Sequence, residues 1–184
     1  MFDGQHRFEH WYRDNQIYFI TARCRDRFRG FASEQAKQIF WEQFEKYSNL
    51  HGYSPWLTSL MDNHYHTLGF LECGDELSKM MKHIHGSVAK LVNDLLDVRL
   101  VPFWIDHGKQ TYFDGCIRDE EQARKAYRYT FTQCVRHHIC ADPMQYAHTR
   151  VNAPLEHAIK DAIKRNAFLR GIPYARYDGR HKDS

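Results

Sequence analysis

Paired cysteines, long apolar runs and a strong net charge are all missing from this sequence. Its five cysteines, Cys24, Cys73, Cys116, Cys134 and Cys140, are odd in number and contain no Cys-x-x-Cys pair. A disulfide framework or a thiolate zinc cluster is therefore not expected, and a reducing, cytoplasmic setting is. No apolar stretch approaches the length of a membrane span, and Met1-Phe2-Asp3-Gly4-Gln5-His6-Arg7 lacks the apolar core of a signal peptide, so no membrane partner is expected. Internal repeats and low-complexity linkers are absent too. Net charge is only +3, but it is unevenly spread: residues 118–184 hold 13 basic and 8 acidic side chains, while residues 31–117 hold 7 and 11. Basic ends around an acidic middle permit a phosphate-binding surface without demanding one. What remains is a globular composition, 42% hydrophobic and 15% aromatic over 184 residues, enough for one well-buried domain.

Thirteen histidines stand out, and two of them organise the chain. In Met61-Asp62-Asn63-His64-Tyr65-His66-Thr67-Leu68-Gly69-Phe70 the side-chain period of an extended strand puts His64 and His66 on one face and Tyr65 on the other. Two imidazoles on a rigid strand make half of a metal coordination shell. The same alternation also fits the wet face of an amphipathic strand.

Taken in order, residues 1–15 form a polar lead-in, and Gln16 to Cys24 reads as a first strand rich in β-branched and aromatic residues. Arg23, Arg25, Arg27 and Arg29 follow at steps of two, which would line one face with guanidiniums if the strand continued, or lie in a solvated loop if it did not. Ser33 caps a helix running to about Leu50, with Phe40, Trp41, Phe44 and Tyr47 as its packing stripe. Ser54 to Met61 is a second strand, joined to the histidine strand by a short Asp62-Asn63 turn. From Gly74-Asp75 a further helix reaches about Leu96; its His83 and His85 lie about 200° apart on a helix and cannot share a metal. Val101 to Ile117 reads as one strand with an irregular lead-in or a short hairpin. Asp119-Glu120-Glu121 then opens a helix expected to run to about His138. Past Pro154 comes an amphipathic helix with Leu155, Ile159, Ala162, Ile163 and Phe168 apolar, and then a basic tail, Ile172 to Ser184. We divide the chain into a main domain, 12–150, and a C-terminal helix and tail, 151–184.

The order strand, helix, strand, strand, helix, strand matches the split βαβ arrangement of an α+β ferredoxin-like fold, with the histidine strand central and the helix after the fourth strand free to cross its open face. On that helix Tyr129 and Gln133 are four residues apart and share a face. A tyrosine hydroxyl, with an ordinary pKa near 10, is a poor nucleophile unless a cation lies near its target. A divalent ion at His64 and His66 would polarise a phosphate, with the Gln133 carbonyl oxygen as third ligand. On spacing alone Tyr112, Tyr127 and Tyr146 are also candidates.

Met61-Asp62-Asn63-His64-Tyr65-His66 resembles the Met-Pro-Asn-His-φ-His signature of HUH single-tyrosine transposases, especially the REP-associated tyrosine transposases and their insertion-sequence relatives. Met80 to Ser87 with Asn93, Phe103-Trp104, Tyr112-Phe113-Asp114 and Ile117 to Glu121 are similar to later family segments, in order. Arg128-Tyr129-Thr130-Phe131-Thr132-Gln133-Cys134-Val135-Arg136 stands where the family has Tyr-Ile-x-x-Asn-Pro-Val-Lys. The resemblance covers about residues 12–150. It implies Tyr129 as nucleophile, His64, His66 and Gln133 as ligands of Mg²⁺ or Mn²⁺, and cleavage of single-stranded DNA beside a hairpin through a covalent 5′-phosphotyrosine. Arg23, Arg25 and Arg118 are the expected DNA contacts, and the active unit is a monomer or a homodimer that exchanges catalytic helices. A non-catalytic hairpin-binding regulator descended from such an enzyme is the alternative. Asp62 for Pro, Gln133-Cys134 for Asn-Pro, and the lack of a Tyr-Pro-Trp-Ser-Ser box mark a divergent branch whose DNA target, more than its chemistry, is in question.

Overall fold

The computed structural model describes residues 12–105 and 111–169; most of the lead-in, Asp106-His107-Gly108-Lys109 and the basic tail lie outside these. Five strands form one antiparallel sheet: β1 (Gln16–Arg23), β2 (Tyr53–Leu60), β3 (His64–Leu71), β4 (Phe113–Cys116) and β5 (Thr149–Val151), in the order β4-β1-β3-β2-β5. The first four strands are the ferredoxin-like set with the histidine strand central. β5, a three-residue strand on the β2 edge, is too short to announce itself in sequence.

All eight residues of β3 are buried, because both faces of the sheet are covered. On one face Tyr18, Ile20, Tyr65 and Leu71 pack against helices α1 (Glu34–Leu50) and α2 (Glu76–Asn93) through Phe40, Phe44, Leu77 and Met80. On the other, Ile17, Leu68 and Phe70 meet Ile117, Ala123, Ala158, Ile159 and Phe168 from helix α3 (Glu120–Phe131), helix α5 (Leu155–Lys164) and the loops beside them. The Ser33 hydroxyl accepts from the Ala36 N–H (3.1 Å) and Asp119 Oδ1 from the Gln122 N–H (2.8 Å), so α1 and α3 start where capping residues stand. Helix α2 stops at Asn93, short of Leu96. The Asn93 amide bonds both the N–H and the C=O of Leu100 and turns the chain. On α5 the apolar side is Ala158, Ile159 and Ala162, whereas Ile163 is 46% exposed.

Backbone conformation decides one open alternative and overturns one expectation. The arginine ladder does not form: β1 ends at Arg23, and Asp26 and Arg27 adopt φ of 52° and 57°, left-handed conformations that destroy a period of two. The helix from Asp119 is not continuous to His138. It stops at Phe131, and Thr132, whose hydroxyl donates back to the Arg128 carbonyl (2.9 Å), separates it from the short helix α4 (Gln133–Arg136). Such back-bonding loosens and bends helices.

Histidine placement on α2 follows the helical period. His83 faces outward to His51, while His85 is buried, bonded to Tyr65 Oη (3.0 Å) and Thr111 Oγ1 (2.6 Å) and stacked on Trp104. Burial pushes the His85 imidazole down to about 3. In the unfolded chain it titrates near 6.5, so between these values the unfolded state binds one more proton and stability falls as pH falls. Urea midpoints measured from pH 7 to pH 4 are expected to decline, and His85→Gln to flatten the slope by about 1.4 kcal/mol per pH unit; an unchanged slope would contradict the buried neutral imidazole.

Candidate active site

Antiparallel pairing places Arg23 opposite His64 and Thr21 opposite His66, so β1 and β3 present these side chains to the face crossed by α3 and α4. The two imidazoles are 3% and 5% exposed, and their centroids lie 5.0 Å apart. Both are neutral at pH 7: burial first, then the neighbouring imidazoles and Arg23, hold His64 at about 4 and His66 at about 3. Each therefore keeps a lone pair for a metal or a donor.

Asn63 orients the first of them. Its Nδ2 donates to the Arg27 carbonyl (3.2 Å) and its Oδ1 accepts from His64 Nδ1 (2.6 Å), which leaves the His64 Nε2 lone pair bare. His66 is stacked on Phe19 (centroids 5.8 Å apart, 9° between planes), and its Nδ1 is buried without a hydrogen-bond partner. Asp62, just before, spends its charge structurally: burial raises its carboxyl, but Arg29 (2.5 Å) and Lys37 (3.3 Å) outweigh that and hold it below the usual carboxylate range.

From above, Gln133 and Tyr129 close over the pair. Gln133 is 1% exposed; its Nε2 donates to the Tyr129 carbonyl (2.9 Å), and its side-chain amide is within hydrogen-bonding reach of both imidazoles. The Tyr129 ring stands edge-on to His66, centroids 5.2 Å apart and planes at 84°. Tyr129 is 39% exposed, and its hydroxyl has no hydrogen-bond partner among the described residues. The other tyrosines are otherwise engaged: Tyr127 and Tyr146 donate to the carbonyls of Ala153 and Leu60, Tyr112 is buried, and burial raises all three hydroxyls.

Of the expected DNA contacts only Arg23 joins this cluster. The Arg25 guanidinium is tied to the Val101 carbonyl (2.7 Å) and Asp26 (3.1 Å). Arg118 precedes α3, whose first residue already lies about 14 Å along the helix axis from Tyr129. Two residues that the sequence reading passed over belong here. The His137 ring packs 4.8 Å from His64, and the Arg136 guanidinium lies over the Tyr129 ring, 4.9 Å from its centroid. The signal for His137 was the four-residue rhythm Tyr129, Gln133, His137.

Among the described residues no three His, Cys, Asp or Glu side chains converge to hold a metal, so a metal here would draw on an amide as well as imidazoles. The residues fit that demand: two neutral imidazoles, one with an orphaned buried nitrogen and one with its tautomer set by Asn63, beside an amide oxygen.

No helix among the described residues is long and apolar enough to cross a membrane. No protein-family model matches this chain, and no curated protein does. Among solved structures, a candidate transposase from Deinococcus radiodurans R1 aligns with 77% of this chain and 100% of its own at 12% identity, with a TM-score of 0.45 that says nothing of the fold. A REP-associated tyrosine transposase bound to a REP hairpin aligns with 79% of this chain and 82% of its own at 16% identity and a TM-score of 0.66. The chain has the fold of that REP-associated tyrosine transposase.

Proposed function

We propose that this chain is an HUH-type single-tyrosine DNA strand transferase, acting in the cytoplasm on single-stranded DNA beside a hairpin. The observation that carries this reading is the meeting, on one sheet face, of two neutral imidazoles, an amide oxygen and one unengaged tyrosine hydroxyl. The hairpin held by the transposase of like fold supports a hairpin-bearing substrate. Five free thiols suit a reducing compartment.

Tyr129 Oη attacks the phosphorus of the scissile phosphodiester. A bond forms between Oη and phosphorus, the bond from phosphorus to the 3′ oxygen breaks, the phenolic proton leaves to solvent, and the 3′ oxygen takes up a proton. A 5′-phosphotyrosine and a free 3′-hydroxyl result, and attack by another 3′-hydroxyl reverses the step on a new end. His64, His66 and Gln133 would hold Mg²⁺ or Mn²⁺, which supplies Lewis-acid polarisation of the phosphate. The protein's own part is positional: Gln133 ties Tyr129 to the imidazole pair, and Phe19 and His66 wall the ring.

The test is incubation of the protein with labelled oligonucleotides carrying hairpins from the flanks of its own gene, with Mg²⁺, with Mn²⁺ and with chelator. A metal-dependent adduct that survives denaturation is expected. Hairpins that shift in native gels but never become attached under any metal would replace this reading with the hairpin-binding regulator. The second shell gives a separate check: Asn63→Ala, which frees the His64 tautomer, is expected to weaken Mn²⁺ binding by about tenfold in a spin-resonance titration.

A further inference from the structure

Three partners surround the Tyr129 ring, and only one is charged. Phe19 (centroids 6.0 Å apart, 78°) and His66 (5.2 Å, 84°) are walls; the third is the Arg136 guanidinium, 4.9 Å from the ring centroid. Arg136 is exposed at the last position of α4 and has no carboxylate partner among the described residues. Arg23, across the strand pair from His64, has none either. Four arginines elsewhere are matched, Arg25 with Asp26, Arg29 with Asp62, Arg99 with Asp94 and Arg124 with Glu156; Arg150 and Arg165 lie over the Trp41 and Phe70 rings, away from the histidine pair and Tyr129. The charges that act on His64, His66 and His137 are those of Arg23, Arg136 and other histidines, with no carboxylate among them.

A guanidinium held over the ring of a reactive tyrosine, in a cluster without an anion, leaves room for one. The ring contact keeps the Arg136 guanidinium beside the tyrosine ring, 4.9 Å from its centroid, and its planar fork matches two phosphate oxygens. We propose that Arg136 binds the non-bridging oxygens of the phosphodiester that Tyr129 attacks, with Arg23 adding to the same positive field. The phosphorane-like transition state carries one more negative charge than the diester, so the contact strengthens as the reaction proceeds. The proposal rests on the strand-transfer reading and gives it a residue that touches the reacting phosphate.

Neutralising the substrate tests it. Arg136→Ala and Arg136→Lys are compared with wild type, in single-turnover adduct formation, on an oligonucleotide with an ordinary scissile phosphodiester and on one with an uncharged methylphosphonate there. On the phosphodiester, Arg136→Ala is expected to react about 100-fold more slowly and Arg136→Lys to fall between. On the methylphosphonate, where a methyl group replaces one of the two oxygens the fork would hold and one negative charge is gone, the gap between wild type and Arg136→Ala should shrink markedly. A slowing of equal size on both substrates would overturn the phosphate contact and leave Arg136 as packing for the ring. Absence of any adduct from wild type would remove the strand-transfer reading itself, and this proposal with it.

Discussion

Tyr129→Phe is expected to abolish the covalent adduct while hairpin binding persists. The variant keeps the ring, and with it the edge contact to His66, the contact to Phe19 and the guanidinium of Arg136; it removes one oxygen. Deleting a nucleophile from an otherwise intact constellation lowers turnover by roughly 10⁴-fold or more. None of the other candidate tyrosines stands ready to substitute, since Tyr112, Tyr127 and Tyr146 are buried or bonded to backbone carbonyls. The check is a denaturing gel of wild type and variant on the same labelled hairpin, with peptide mass spectrometry of whatever adduct forms. An adduct of undiminished yield in Tyr129→Phe would move the nucleophile elsewhere.

A large loss of stability is expected from one methyl group in the histidine strand. Gly69 lies in β3 opposite Pro55, where the β2 register shifts between Pro55 and Leu57. A Cβ at Gly69 would meet the Ser54 carbonyl oxygen at 2.6 Å, Pro55 Cα at 2.7 Å and Tyr53 Cζ at 2.7 Å. The first two are backbone atoms of a paired strand and cannot swing aside. Gly69→Ala should therefore cost about 3 kcal/mol by overpacking, lowering the melting temperature by roughly 6 to 12 °C for a chain of this size. A melting temperature equal to wild type would show that β2 yields at the bulge.

Much of this was legible in the sequence, for identifiable reasons. The histidine pair followed from a period of two, which a central strand obeys with little freedom. The α1 stripe and the partition of His83 from His85 followed from a period of 3.6. Features that depend on single backbone choices were not legible. Nothing in Arg23 to Arg29 signals that Asp26 and Arg27 turn left-handed. Thr130-Phe131-Thr132 are weak helix formers, but propensity alone does not say that the break falls at Thr132. The burial of His85 against Tyr65 depends on two elements meeting across the core, which spacing along one helix cannot report. Arg136 was hidden for a similar reason: its partner Tyr129 lies seven residues back across the Thr132 break.

The shared packing of α3 and α5 bears on the order in which the chain can assemble as it is made. Tyr129 rides on a helix that rests on the sheet through Ala123, in a core completed by Ala158, Ile159, Ala162 and Phe168. Synthesis delivers His64 and His66 early and Phe168 some hundred residues later. Until that last stretch leaves the ribosome, Leu68 and Phe70 lack their full cover and the tyrosine helix lacks its backing. The nascent chain thus carries His64, His66 and Tyr129 well before the residues that complete the core behind the tyrosine helix have been added.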